Sequence, residues 1–437
     1  MALKNFYVSF GCKVNQYETQ NISEQFSLDG CEKVNNIKEA DVCIINSCTV
    51  TAQADSKLRH FIKRVHRENP SCLIVLTGCF PQAFPQKAQD FSECKIICGS
   101  RDKNKLREMV YNALESENLH QTICISEQKL NGKLEPMCNC ADSGKTRAYI
   151  KIQDGCDMAC SYCIIPTARG HICSKSIEDI KCETELLLKA NHKEIILTGI
   201  NLCCYGKDFK NGTRLVDALE AVCSIDGNFR VRLSSMEPEM ISDEDILRMT
   251  ALNKLCPQFH LSLQSGCNKT LKAMNRHYSA QQYQELCVKL REAFDGCAIT
   301  TDIMVGFPNE TDEDFNESLE FVKKTSFSAA HIFPYSRRTG TKADKLDGQI
   351  DKNTKTKRAA KMREICKNSQ LEYNRSFIGK TAKVLFEREV CAEYHQGHIP
   401  EYVLVKVERT DNSTLFRQFK QVKIIDANEN FCTGELI

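Results

Sequence analysis

Three cysteines in the stretch GCDMACSYCIIP, residues 155–166, have the spacing C-x3-C-x2-C. Thiolates this close together suit a shared soft metal centre. A structural zinc site takes four protein ligands. The nearest further candidates, His171 and Cys173, do not stand at zinc-ribbon spacing. Iron–sulfur clusters are also held by four cysteines as a rule. Cys156, Cys160 and Cys163 therefore suit a cluster that leaves one iron without a protein ligand. The competing reading is three free thiols placed by chance.

A second trio is spread through the first part of the chain. Cys12 closes SFGC, Cys48 closes IINSC and Cys79 closes VLTGC. Each follows a β-rich run that leads into a helical segment. In a parallel sheet the carboxyl ends of the strands lie along one edge. Three thiolates far apart in sequence can then converge. Gly11, Gly78 and Asn46 beside them admit a bulky ligand close to the backbone. Chance placement in a chain of 26 cysteines is the alternative.

The elements that must position these groups follow from periodicity. NFYVSFGC, ADVCIINSC, SCLIVLTGC and CKIICGS read as strands, with helices over NQYETQNISEQFSLDG and ADSKLRHFIKRVHRENP. Continuous apolar strands separated by helices imply a parallel sheet covered on both faces. Residues 125–146 lose the periodicity and read as a linker, so a first domain is expected over 1–124. Cys138 and Cys140 fall in that linker and are not expected to hold metal. Alternation resumes with RAYIKIQ, KEIILTG, FRVRLSS, QFHLSLQ, AITTDIMVG and SAAHIFPY. Six β-α units form a partial barrel or an open wound sheet over 147–350, with functional residues at the strand carboxyl ends. A basic helix is expected over 351–375. Short strands with polar turns over 376–437 read as a small β-barrel.

Composition sets bounds. The chain has 437 residues, a formal net charge of +2 and 27% charged residues, which reads as globular. Near-balance argues against a strong nonspecific nucleic-acid binder. The start, MALKNFYVSFGC, lacks a signal-peptide core, and no apolar run is long enough to span a bilayer. A cytoplasmic location without membrane association is the expectation. Most cysteines should then be reduced and buried. That reading covers Cys31, Cys43, Cys72, Cys94, Cys124, Cys173, Cys182, Cys223, Cys256, Cys267, Cys287, Cys297, Cys366, Cys391 and Cys432.

CDMACSYC resembles the cluster motif of radical S-adenosylmethionine enzymes. The resemblance implies a partial (β/α)6 radical SAM barrel and a [4Fe–4S] cluster on Cys156, Cys160 and Cys163. It also implies that S-adenosylmethionine chelates the open iron and is cleaved to a 5′-deoxyadenosyl radical. GCKVNQYETQ, NSCTVTAQAD and TGC resemble the N-terminal domain of methylthiotransferases. There Cys12, Cys48 and Cys79 would bind a second [4Fe–4S] cluster that handles sulfur. GCKVNQYE is similar to the branch acting on N6-threonylcarbamoyladenosine in tRNA. Segments such as ILTGINL, RLSSMEPE and TDIMVGFPNETDEDF extend the resemblance over the whole chain. Departures are Cys203 and Cys204 after GINL, His171 and Ser176 near ARG, and Asn309 where glycine is common.

Strand-end residues Thr198, Gly199, Ser234, Ser235, Glu237, Gln264, Ser265, Asp302, Val305, Gly306 and Phe333 are the candidates for binding S-adenosylmethionine and the nucleoside. For each the bland alternative is a cap or turn hydrogen bond. The last unit resembles a TRAM domain, which implies RNA contact. Basic candidates for that contact are Lys57, Arg59, Lys63, Arg64, Arg67, Arg337 and Arg338. Tyr402 and Phe416 read as barrel core, with stacking on exposed bases as the alternative.

Together these resemblances imply methylthiolation of C2 of N6-threonylcarbamoyladenosine at position 37 in the tRNA anticodon stem-loop. That C–H bond is unactivated, so a cofactor must carry the step. An electron donor such as flavodoxin or ferredoxin is implied, while the sulfur source is not specified. Three alternatives stand. The same chemistry would serve isopentenyladenosine in tRNA or a ribosomal-protein aspartate. Another radical enzyme would carry a structural zinc in its first domain. A noncatalytic RNA-binding protein would use neither trio.

Overall fold

The computed structural model describes residues 2–116, 120–127, 134–388, 393–410 and 414–437. Cys391 and residues 128–133 of the expected linker lie outside them.

The first part is a six-stranded parallel sheet, ordered Glu32–Lys33, Lys4–Ser9, Val42–Ser47, Leu73–Gly78, Cys94–Cys98, Thr122–Cys124. The two short edge strands were not legible in the pattern. The central strands open on continuous apolar runs, VCII from Val42 and LIVL from Leu73, because both faces are covered. Val42 and Ile44 pack under the helices Lys13–Leu28 and Leu106–Glu115. Cys43 and Ile45 pack on the opposite face with Leu58, Ile62 and Val65 of the helix Ala52–Glu68. Those three fall at i, i+4 and i+7, one stripe of that helix.

Six parallel strands form the central unit: Arg147–Lys151, Glu194–Thr198, Arg230–Leu233 continuing into Ser235–Met236, Gln258–Gln264, Ala298–Val305 and Ala329–Pro334. The third strand breaks at Ser234. Before the break it pairs with the second strand, and after it with the fourth. The arc is thus a partial (β/α)6 barrel. Ile150, Leu197, Leu233, Leu263 and Val305 point outward into a core shared with the helices. Strand alternation therefore turns Lys151, Thr198, Ser234, Gln264 and Asp302 into the lumen. Asn309 adopts φ 63°, a conformation glycine and asparagine tolerate, which explains the residue found there.

The helix Lys352–Arg375 begins at Asp351, whose side chain accepts from the backbone N–H of Asn353 and Thr354. Its Ala359, Met362 and Cys366 join the central core, so it is a packed element as well as a link. The chain ends in a closed five-stranded barrel, ordered Thr381–Phe386, Tyr394–His398, Leu404–Glu408, Cys432–Leu436, Phe419–Ala427.

This small barrel closes the bottom of the central lumen. Arg230 and Arg232 donate to the backbone carbonyls of His398 and Pro400. The Tyr402 ring lies under Arg147 and Arg232, at 4.9 and 4.6 Å. Tyr402 is thus a seam residue rather than small-barrel core. Glu194, fully buried, gathers Arg147, Arg230 and Arg232 at 3.3, 2.5 and 3.0 Å. Burial alone would raise its carboxyl pKa. Arg232, Arg230 and Arg147 outweigh burial and hold it well below the usual carboxylate range.

Among the described residues no helix is long and apolar enough to cross a membrane. Most cysteines read as buried are buried or half-buried, but Cys182 is exposed on the outer face of the helix Ile177–Lys189.

Glu194→Ala should leave three arginines without their shared counter-charge and cost about 3–5 kcal/mol in urea unfolding. A loss below about 1 kcal/mol would show that the base is not organised by this carboxylate. A depressed carboxylate pKa stabilises above the unfolded value of about 4.3 and loses that stabilisation as pH falls. Glu194→Gln should therefore flatten the stability profile below about pH 4.

Candidate functional site

The loop that carries the close-spaced trio begins at a glycine no other residue can replace. Gly155 has φ 73°, and a Cβ there would lie 1.9 Å from the His171 carbonyl oxygen. The Cys156 N–H donates to the Gly170 carbonyl at 3.0 Å, closing the loop. Cys163 leads into the helix Ile165–Arg169. Burial pushes the thiols of Cys156 and Cys163 up to about 11 and 12, with Cys160 an electrostatic neighbour of both. They would bind metal only by releasing protons. His171 is engaged by Asp157 at 2.6 Å, and Cys173 is buried in the hairpin Gln153–Asp154/Cys173–Ser174.

The dispersed trio gathers at one corner of the first sheet. Cys12 caps the helix Lys13–Leu28 and Cys79 opens the helix Cys79–Ala83. Burial pushes the Cys12 thiol up, with Arg169 opposing the rise. The Gly11 backbone packs against Cys48, where an added Cβ would sit 2.8 Å from Cys48 Cβ. Cys12 Sγ donates to Asn15 Oδ1 at 3.1 Å, and Arg169 reaches the same oxygen at 3.3 Å. Arg169 Nε then donates to Cys79 Sγ at 3.1 Å. Burial pushes the Cys48 thiol up to about 12, and Cys79 and Cys12 add to the rise. Among the described residues no three His, Cys, Asp or Glu side chains converge tightly enough to share one metal ion. Zinc bonds of about 2.3 Å would draw thiolates to roughly 4 Å of each other. A four-iron cluster holds its ligands around a wider cage.

Between the two trios lies a buried network that sequence reasoning missed. Glu18 receives Arg169, Lys151 at 2.9 Å and Lys103 at 3.3 Å. Asp154 receives Arg169 and Lys151, both at 3.2 Å. Burial alone pushes the Glu18 carboxyl up, but Arg169, Lys103 and Lys151 hold it well below the usual range. The residues come from both the first sheet domain and the central barrel. The only signal available was that Glu18 and Arg169 each follow a cysteine motif by a few residues. Arg276 was also missed. It donates to Cys160 Sγ at 3.3 Å and pairs with Glu237.

A cavity of about 390 Å³ opens between Cys163 and the loop that follows Cys48. Its wall includes Val50 and Thr51, which follow Cys48, and Cys163, Gln264, Asp302 and Phe333 of the barrel. Gln264 stands at φ 66° with a buried Oε1 that has no hydrogen-bond partner, and Ser234 Oγ is likewise unpartnered. Asp302 lies 3.3 Å from His260 Nε2. Thr198 is a buried lumen residue, and Gly199 packs against Gln153. Val305 differs: its side chain is in the outer core, and only its backbone is at the strand end. Of the basic residues proposed for RNA, Arg338 is buried and bound to Asp55 and Thr49, which removes it from the surface. Arg337 stays exposed.

Residues 150–322 match the radical SAM superfamily, and residues 4–99 match the uncharacterized protein family UPF0004. The chain is 37% identical over 402 residues to the threonylcarbamoyladenosine tRNA methylthiotransferase MtaB of Thermotoga maritima, covering 90% of this chain and 89% of that protein. The MtaB of Bacillus subtilis is 34% identical, covering 98% and 95%. The tRNA-2-methylthio-N(6)-dimethylallyladenosine synthase of Caldicellulosiruptor saccharolyticus is 33% identical, covering 98% and 92%. Among solved structures, the fold is similar to the radical S-adenosylmethionine methyltransferase TsrM of Kitasatospora setae. That match has a TM-score of 0.57 at 12% identity, covering 78% of this chain and 74% of that one. The cobalamin-dependent S-adenosylmethionine radical enzyme OxsB gives a TM-score of 0.52 at 14% identity. Its match covers 82% of this chain but only 56% of that one.

Gly155→Ala should destabilise the metal-free chain by more than about 1 kcal/mol in a thermal or urea melt, because the backbone cannot accept a Cβ there. An unchanged melt would mean that the loop has room its geometry denies.

Proposed function

The chain belongs to the radical S-adenosylmethionine methylthiotransferase family, and on that premise we propose that it methylthiolates C2 of N6-threonylcarbamoyladenosine at position 37 of tRNA. The observation that carries the reading is the shared cavity, bordered by the loop after Cys48 on one side and by Cys163 on the other. A nucleoside held there would stand between two groups of thiols. The residues fit the groups the family implies. Cys156, Cys160 and Cys163 would hold one [4Fe–4S] cluster, and Cys12, Cys48 and Cys79 a second. With S-adenosylmethionine bound, the first would supply hydrogen-atom removal from an unactivated C–H bond and the second would present sulfur from a donor still to be identified, chemistry no side chain provides.

The chain's own part is placement. Gln264 Oε1 accepts and Ser234 Oγ donates or accepts, so both suit the polar edges of S-adenosylmethionine or ribose. Thr198 and Asp302 extend that polar wall. Phe333 and Tyr335, on the same cavity, offer apolar faces to a base. Arg276 holds Glu237 and fixes one side of the lumen. Glu194, its arginines and Tyr402 of the small barrel fill the base of the lumen. The same reading divides the chain into a methylthiotransferase domain at 1–124, a connecting strap at 125–146, a radical SAM domain at 147–350, a helix at 351–375 and a TRAM-like barrel at 376–437. The target tRNA, a flavodoxin or ferredoxin as electron donor, and work in the cytoplasm belong to this proposal.

GCKVNQYE and the relatives named MtaB support the threonylcarbamoyl substrate. The dimethylallyladenosine synthases at similar identity keep isopentenyladenosine as the second reading. Mass spectrometry of tRNA nucleosides from a strain lacking this chain should show loss of the 2-methylthio form of threonylcarbamoyladenosine. Loss from isopentenyladenosine instead would transfer the assignment. Anaerobic reconstitution should give about eight irons per chain, and about four after alanine replaces either cysteine trio. Four irons with one tight zinc would defeat the two-cluster reading.

A further inference from the structure

Each cysteine trio has a buried arginine at its back. Arg169 has no exposed surface, and every guanidinium nitrogen is committed. Nε donates to Cys79 Sγ at 3.1 Å, and Nη1 and Nη2 reach Glu18, Asp154 and Asn15. Arg276 repeats the arrangement. Nη1 donates to Cys160 Sγ at 3.3 Å, Nη2 to Glu237 and the Ser262 carbonyl, and Nε to Tyr278 Oη at 3.3 Å. In both places a glutamate holds the planar fork so that one N–H is aimed at sulfur. A lysine cannot serve both partners, because its charge is a single point at the end of a flexible stem.

We propose that Arg169 and Arg276 are positioning residues that raise the reduction potentials of the two iron–sulfur sites. This rests on the two-cluster reading. Taking up one electron adds one negative charge to a cluster and breaks no bond. A buried cation and an N–H to a ligand sulfur stabilise the reduced form more than the oxidised one. Hydrogen bonds to the sulfurs and local charge are among the factors that set such potentials. Arg169 adds a second consequence. It lies six residues after Cys163, in the barrel's own cysteine loop, yet its N–H reaches a cysteine of the other domain. The first-domain site is therefore completed by a side chain of the barrel.

The test isolates one site at a time. In a chain carrying Cys156→Ala, Cys160→Ala and Cys163→Ala, the remaining site is titrated with dithionite and followed by electron paramagnetic resonance. Arg169→Lys should lower the reduced-to-oxidised ratio at a fixed potential at least tenfold, a downward shift of about 59 mV for one electron. In the converse chain with Cys12→Ala, Cys48→Ala and Cys79→Ala, Arg276→Lys should do the same. Arg101→Lys is the control for loosening. Arg101 donates to the carbonyls of Arg169 and His171 at 2.8 and 2.7 Å without touching sulfur, so its loss should leave the potential unchanged. Unshifted potentials with iron retained would overturn the proposal alone, as would an equal shift from Arg101→Lys. Absence of iron from the first parent chain would overturn the two-cluster reading and this proposal with it.

Discussion

The carboxylate of Glu18 is the contact on which the arrangement of both cysteine trios depends. It is fully buried and shared by Arg169, Lys151 and Lys103. Glu18 and Lys103 belong to the first sheet domain, whereas Lys151, Asp154 and Arg169 belong to the barrel. Burying five ionised groups is costly, and removing one partner leaves the others uncompensated. Such a network is stable only when the two domains meet in one register. That register brings Cys79 under Arg169 and sets the loop after Cys48 beside Cys163.

The barrel lumen is polar for a related reason. Outward positions along its strands feed the helix core, so the alternate positions face inward and need not be apolar. At the base, Glu194 and three arginines satisfy one another, and Tyr402 of the small barrel covers them. Higher up, Gln264 and Ser234 keep polar atoms without protein partners. Buried unpaired groups are costly unless something answers them. Gln264 lines the cavity, where a ligand can answer its Oε1.

The strap from Met137 to Cys140 joins the same seam. Tyr17 and Lys175 both donate to the Met137 carbonyl, at 2.8 and 2.7 Å, and Asn139 N–H reaches Glu183 at 2.8 Å. Farther along, Arg417 of the small barrel grips Asp142. The segment without periodicity is therefore tied to all three folded units. Its lack of pattern came from bonding through backbone and single polar side chains, which leaves no 2.0 or 3.6 repeat.

Sequence alone determined what is local. Cysteine spacing, glycine at the head of the cluster loop, apolar runs and their alternation all act through neighbours a few residues apart. The central strands, the long helices and the strand-end positions of Cys12, Cys48 and Cys79 followed from them. Tertiary structure decided what needs two distant segments in one place. No pattern in the chain announces that Arg169 ends beneath Cys79 or Arg276 beside Cys160. Nor does one show that Arg338 is bound inside while Arg337 remains outside. A charged side chain reads the same in sequence whether it meets solvent or a buried counter-charge. Only the packing of the domains selects its partner.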